Sequence, residues 1–133
     1  MRRNIRICPH TTKRAFAISR DAAALGFDWP TAAADVVDKL QEEVDEIRDA
    51  LAKPQYDGLL ADEIGDLFFA LVNLARKAGI PPEDAFKRGV DKFDRRFRAL
   101  KRLALARHLR LQSLDANELD ALWRHVKLEE SLP

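Results

Sequence analysis

A chain of 133 residues, 47% hydrophobic and 34% charged with five Gly and six Pro, has the apolar supply for one packed core. That balance excludes collagen-like, mucin-like and disordered readings, which need more Gly or Pro or fewer apolar residues. The net charge of +1 argues against general affinity for nucleic acid, yet the two signs are segregated along the chain.

At the start of the chain no apolar signal core follows Arg2-Arg3, and nowhere is there a run of ~18 apolar residues of the kind a membrane span requires. An untargeted protein without a membrane span is expected. Cys8 has no second cysteine to pair with, and His10, His108 and His125 have no cysteine partners at zinc spacing. Both point to a reducing, cytoplasmic setting.

Helical periodicity runs through the sequence, and no stretch alternates cleanly enough to predict a strand, so the fold class is all-α, a bundle of four or five helices. The first helix is expected from about Thr12 to Leu25, stopped by Gly26, with Phe27-Asp28-Trp29-Pro30 as an extended connector. The second starts near Thr31, ends before Pro54, and spaces Val36, Leu40, Val44, Ile47 and Leu51 by three or four. A third spans about Gly58 to Ala78 on a seam of Leu60, Ile64, Leu67, Leu71 and Leu74, with Gly79 as its stop. The fourth, about Pro82 to Arg107, carries Phe86, Val90, Phe93, Phe97 and Leu100. Asp115 followed by Glu118 predicts a capping box for a fifth helix bearing Leu119, Leu122, Trp123 and Val126.

The charge segregation follows these elements. Asp35 to Asp66 holds eleven acids against three bases, and Lys87 to Arg110 holds ten bases against two acids. At ~100° per residue, Lys39, Glu42, Glu43 and Glu46 share one face of the second helix, so three carboxylates point the same way. On the third helix Glu63, Asp66, Ala70, Asn73 and Lys77 share a face, with the leucine seam on the other side. Like charges one turn apart cost each helix a few tenths of a kcal/mol per pair. Two helices that each offer such a pair across a short loop make a cluster of hard oxygen donors. With no histidine at the positions a di-iron bundle would use, Mg2+ or Mn2+ is the expected cation. Mg2+ is commonly shared between carboxylates and substrate phosphates, and Arg88, Lys92 and Arg96, one turn apart on the fourth helix, supply balancing cations.

These segments resemble the MazG-type nucleoside triphosphate pyrophosphohydrolases, all-α enzymes of the wider dimeric dUTPase-like group. The resemblance is carried by Gly26-Phe27-Asp28-Trp29, by Lys39 with Glu42-Glu43-x-x-Glu46, and by Glu63-Ile64-Gly65-Asp66-Leu67-Phe68-Phe69. Val72-Asn73-Leu74-Ala75-Arg76, Lys92-Phe93-x-Arg95-Arg96-Phe97 and Leu122-Trp123 complete it. It covers about residues 22–129 as a catalytic domain, leaving 1–21 as an N-terminal segment with the start of the first helix and 130–133 as a tail. It implies Mg2+-dependent hydrolysis of a nucleoside triphosphate to monophosphate and pyrophosphate. It also implies metal ligation by Glu43, Glu46, Glu63 and Asp66, phosphate contacts from Lys39, Lys92, Arg95 and Arg96, and nucleoside contacts from Asn73, Trp29 and Trp123. Relatives build their bundles from two subunits, so a homodimer is implied, and the apolar seam of the fourth helix favours one independently.

No Ser-His or Cys-His arrangement offers a covalent route, so a metal-activated water is the expected nucleophile and Glu42 or Glu46 the proton acceptor. Two other classes compete. One is a nucleic-acid-binding module using the basic fourth helix, against which the acidic second helix argues, so no stable nucleic-acid complex is expected. The other is a non-catalytic helical scaffold that self-associates through its oppositely charged segments.

Overall fold

The structure, a computed structural model, describes residues 10–28 and 32–133. Five α-helices follow one another: α1 (Thr11–Ala24), α2 (Ala33–Leu51), α3 (Asp57–Lys77), α4 (Pro82–Ala106) and α5 (Ala116–Glu130). A single 3-10 turn, Leu111–Ser113, precedes α5 and is the one regular element among the described residues that periodicity does not predict. No strand is found among the described residues, in keeping with the all-α expectation.

Helix ends agree with the sequence reading to within a residue or so wherever a local signal exists. Gly26 (φ 86°) and Gly79 (φ 72°) adopt the left-handed conformation just past α1 and α3. They permit the closing bonds from Phe27 N–H to Ala22 and from Ile80 N–H to Ala75. His108 (φ 55°) plays the same part after α4, where Leu109 N–H donates to Ala104. At α5 the capping box is complete: Asp115 Oδ1 accepts from Glu118 N–H and Glu118 Oε2 from Asp115 N–H, both at 2.8 Å. The Thr31 start proposed for α2 lies outside the described residues, and the helix begins at Ala33.

The chain divides into two compact units, one ending at Ala85 and the other beginning at Phe86 within α4. In the first, α3 packs against both α2 and α1. Its buried apolar residues are small or slender: Val36, Ala50, Ala70 and Val72. In the second, Leu100 of α4 meets Leu122 and Val126 of α5, with Leu103, Leu111, Leu114 and Trp123 packed around them.

Within the first unit the helical faces are used differently from the sequence expectation. Val44 and Leu51 of the α2 seam are exposed, whereas Glu43 is 6% exposed, in line with Val36 and Ala50 at a heptad spacing. On α3, Ile64 and Leu71 of the leucine seam are exposed together with Phe68, while Ala70 is buried and Glu63, Asn73 and Lys77 are half-buried. Small side chains account for the difference. Ala50 and Ala70 allow close approach of neighbouring backbones, and on the Ala70 face Asn73 and Lys77 find polar partners in Ser19 and Asp28 that leucine could not.

Candidate functional site

The connection from residue 52 to 56 turns α2 back upon α3, which brings the two acidic stripes face to face. Glu43, Glu63 and Asp66 then each offer one carboxylate oxygen, and the three atoms lie within 4.8 Å of one another. Oε2 of Glu43 and Oε2 of Glu63 are buried without a hydrogen-bond partner among the described residues. A buried acceptor left unpaired costs about 1–3 kcal/mol, more when charged, and three carboxylates at this separation also repel. A divalent cation removes both penalties, and an all-oxygen donor set without histidine or thiolate suits Mg2+ or Mn2+. The residues present therefore fit such an ion.

Lys39 Nζ stands 3.1 Å from Glu42 Oε2 and 3.1 Å from Glu43 Oε1. Hydrogen bonds to Glu43 and then Glu42 push the Lys39 pKa up, which keeps the ammonium charged at the rim of the acid cluster. Glu42 and Glu46 are exposed on α2, and neither belongs to the three-carboxylate group.

Beside the acids lies a cavity of about 360 Å³, whose polar lining is Lys39, Glu43 and Asp66 together with Ser19, Asp28, Asn73 and Arg76. Ile18, Ala22, Phe27, Val36, Phe69 and Ala70 supply its apolar wall. The combination of an apolar pocket with a few convergent polar groups is characteristic of small-molecule sites.

Four of these polar side chains form a continuous hydrogen-bonded chain. Asp28 Oδ1 accepts from Arg76 Nη2 at 2.7 Å and pairs with Lys77 Nζ at 3.0 Å. These two cations, Arg76 first, hold the Asp28 carboxyl below its ordinary range. Arg76 Nε donates to Ser19 Oγ at 2.7 Å, and Ser19 in turn donates to Asn73 Oδ1. Sequence reasoning assigned no role to Ser19, Asp28, Arg76 or Lys77. The available signal was the helical wheel of α3, which sets Lys77 on the face of Glu63, Ala70 and Asn73 and so inward.

The remaining site candidates belong to the second unit or lie outside the described residues. Arg95 and Arg96 both pair with Glu130, Arg96 Nε at 2.7 Å, and together they lower the Glu130 pKa. Lys92 is exposed on α4. Trp123 packs its ring 5.5 Å from that of Phe93, which itself stacks on Phe97 at 5.9 Å. Trp29 lies outside the described residues.

A helical hairpin whose facing acids border a cavity with a basic and an amide wall defines an all-α, carboxylate-centred binding protein. The chain belongs to the MazG nucleotide pyrophosphohydrolase domain family, whose model matches residues 31–100. It is 41% identical over 118 residues to the nucleoside triphosphate pyrophosphohydrolase of Escherichia coli K12, a match covering 88% of this chain and 44% of that protein. A Thermotoga maritima protein named nucleoside triphosphate pyrophosphohydrolase/pyrophosphatase MazG is 34% identical over 110 residues, 83% of this chain and 41% of its own. The uncharacterized protein YabN of Bacillus subtilis is 39% identical over 71 residues, 53% of this chain and 14% of its own. The chain thus spans less than half the length of these curated relatives. Among the described residues no helix is long and apolar enough to cross a membrane.

Proposed function

We propose that this chain is a nucleoside triphosphate pyrophosphohydrolase that cleaves NTP or dNTP between the α and β phosphates, releasing monophosphate and pyrophosphate with Mg2+, and Mn2+ as the alternative. The observation that carries the reading is the cluster of Glu43, Glu63 and Asp66, with its two unpaired buried oxygens, at the edge of a cavity with an apolar wall. The names of the relatives support the same activity. In the cell the reading corresponds to removal of unwanted nucleotides from the cytoplasmic pool.

Glu43, Glu63 and Asp66 would hold the ion, with Glu46 added on the family resemblance. A divalent ion bound there supplies charge neutralisation on the phosphates and a lowered pKa for a coordinated water. Lys39, kept protonated by its two glutamates, exchanges one of them for a phosphate oxygen and so stabilises the charge that shifts toward the leaving pyrophosphate. Glu42 or Glu46, both solvent-facing on α2, accepts the proton from the attacking water. Asn73 hydrogen-bonds the base, while Phe27 and Phe69 offer it an apolar wall. Lys92, Arg95 and Arg96 as further phosphate contacts, and Trp29 and Trp123 as nucleoside contacts, rest on the family resemblance alone. For the two arginines, phosphate binding means displacing Glu130.

We also propose a homodimer. Phe68 of α3 is 60% exposed, and Phe86, Val90 and Phe93 present an exposed apolar row along α4. Exposed apolar rows of this kind favour burial against a second copy.

Product analysis tests the activity. Incubation with ribo- and deoxyribonucleoside triphosphates and Mg2+ should yield monophosphate and pyrophosphate, with EDTA abolishing both. Release of diphosphate and inorganic phosphate, or turnover indifferent to EDTA, would refute the assignment.

A further inference from the structure

The hydrogen-bonded chain that borders the cavity has a direction. A guanidinium donates only, and Asp28 holds that of Arg76 in place from the far side through Nη2. Arg76 Nε therefore spends its proton on Ser19 Oγ, a residue 5% exposed at the contact of α1 with α3. Having accepted one bond, the hydroxyl sends its own proton to Asn73 Oδ1. Turning the amide over would aim a second donor at Ser19 and take away the acceptor of its buried proton, an arrangement that costs the desolvation of that group. The amide is accordingly locked with its oxygen toward Ser19, and the edge left for the cavity is Nδ2, which only donates.

We propose that Asp28, Arg76 and Ser19 act as positioning residues which fix the polarity of Asn73, so that the cavity selects a nucleobase presenting a carbonyl oxygen over its amino counterpart. The inference rests on the nucleotide reading above and names the substrate class within it. A keto oxygen, as in uracil, thymine, guanine or hypoxanthine, completes the chain of donors. An exocyclic amine at the same place sets donor against donor in a site whose polar wall has no freedom to turn.

Two substrate pairs that differ at this group make the test: UTP against CTP, and ITP against ATP. In the wild-type protein kcat/KM should favour the keto member of each pair by roughly ten- to hundredfold, the cost of confronting two buried donors. Ser19→Ala frees the amide to turn, so the ratio should fall toward unity, chiefly through better use of CTP and ATP. Asn73→Asp leaves only acceptors facing the cavity, so the ratio should reverse even where total activity drops. Equal use of both members by the wild type, or a ratio that neither variant moves, overturns the inference and leaves the pyrophosphohydrolase reading standing. Failure to release pyrophosphate from any of the four triphosphates overturns that reading and this inference with it. If Ser19→Ala does not fold, as judged by helical circular dichroism, Asn73→Asp decides: reversal supports the proposal and a retained keto preference refutes it.

Discussion

Glu63→Gln should stabilise the metal-free protein and remove most of its response to Mg2+. Three carboxylate oxygens within 4.8 Å of one another repel by at least about 0.9 kcal/mol per pair in water and about 3.5 kcal/mol at an effective dielectric of 20. Glutamine at position 63 abolishes two of the three pairs and keeps the shape of the side chain. It also replaces an unpaired buried oxygen with a group able to donate to the neighbouring carboxylates. Because Asp66 is exposed, solvent screens the cluster and the gain belongs near the lower bound, about 2 kcal/mol, which corresponds to roughly 5–10 °C in Tm for a chain of this size. In the wild type, Mg2+ at a hundredfold excess over its Kd adds about 2.7 kcal/mol, a gain the variant forfeits with its third ligand. Calorimetric or circular-dichroism melts in EDTA and in millimolar Mg2+ give all four values. A variant that melts below wild type in EDTA, or that responds to Mg2+ as strongly as wild type, would refute the reasoning.

Asp28 gives a pH signature. Its pKa lies below the ordinary 3.8 because Arg76 and Lys77 favour the carboxylate, so its contribution is complete above that value and is lost as pH falls through the depressed folded pKa. Asp28→Asn should melt below wild type at neutral pH, with the gap closing below about pH 4 in a Tm series; a gap independent of pH would exclude the linkage. Asp115→Ala removes half of the capping box and should destabilise α5 by about 1 kcal/mol, read as faster hydrogen exchange in its first turn. If the proposed homodimer forms, Phe68→Asp should shift the light-scattering mass toward the 15.1 kDa single chain while leaving helix content unchanged, and an unaltered dimer mass would remove α3 from the proposed interface.

The sequence states most of the fold because helix boundaries here are written locally. Gly26, Gly79, Pro82 and the Asp115–Glu118 box each act through the backbone of one or two neighbours, so no tertiary knowledge is needed to place them. Which face each helix buries is a different matter. Periodicity marks Leu60, Ile64 and Leu71 as a seam; Leu60 is half-buried, but Ile64 and Leu71 are exposed because α3 turns Ala70 and its polar neighbours to α1 and α2, a choice set by side-chain volume and by hydrogen-bond partners far away in sequence. At the site, the carboxylates on α2 and α3 could be read from spacing, since residues three apart on one helix must point together. That Glu46 stands outside the closest group depends on the crossing of α2 with α3, which spacing does not specify. The partnership of Ser19, Asn73, Arg76 and Asp28 joins positions about fifty residues apart, and no local pattern announces it.

The acidic centre draws Glu43, Glu63 and Asp66 from one helical hairpin closed by a five-residue connection, residues 52–56. Short loops close quickly, on the order of 10–100 ns for about ten residues, so during folding this hairpin can form before α1 docks through Ser19. Its closure is also the step that forces like charges together, and the docking of α1 is not. The electrostatic penalty is thus concentrated early, in the barrier to hairpin formation, where a counter-ion lowers it. A divalent ion bound there would stabilise the transition state about as much as the native state: refolding should quicken with Mg2+ at concentrations that leave the unfolding rate nearly unchanged.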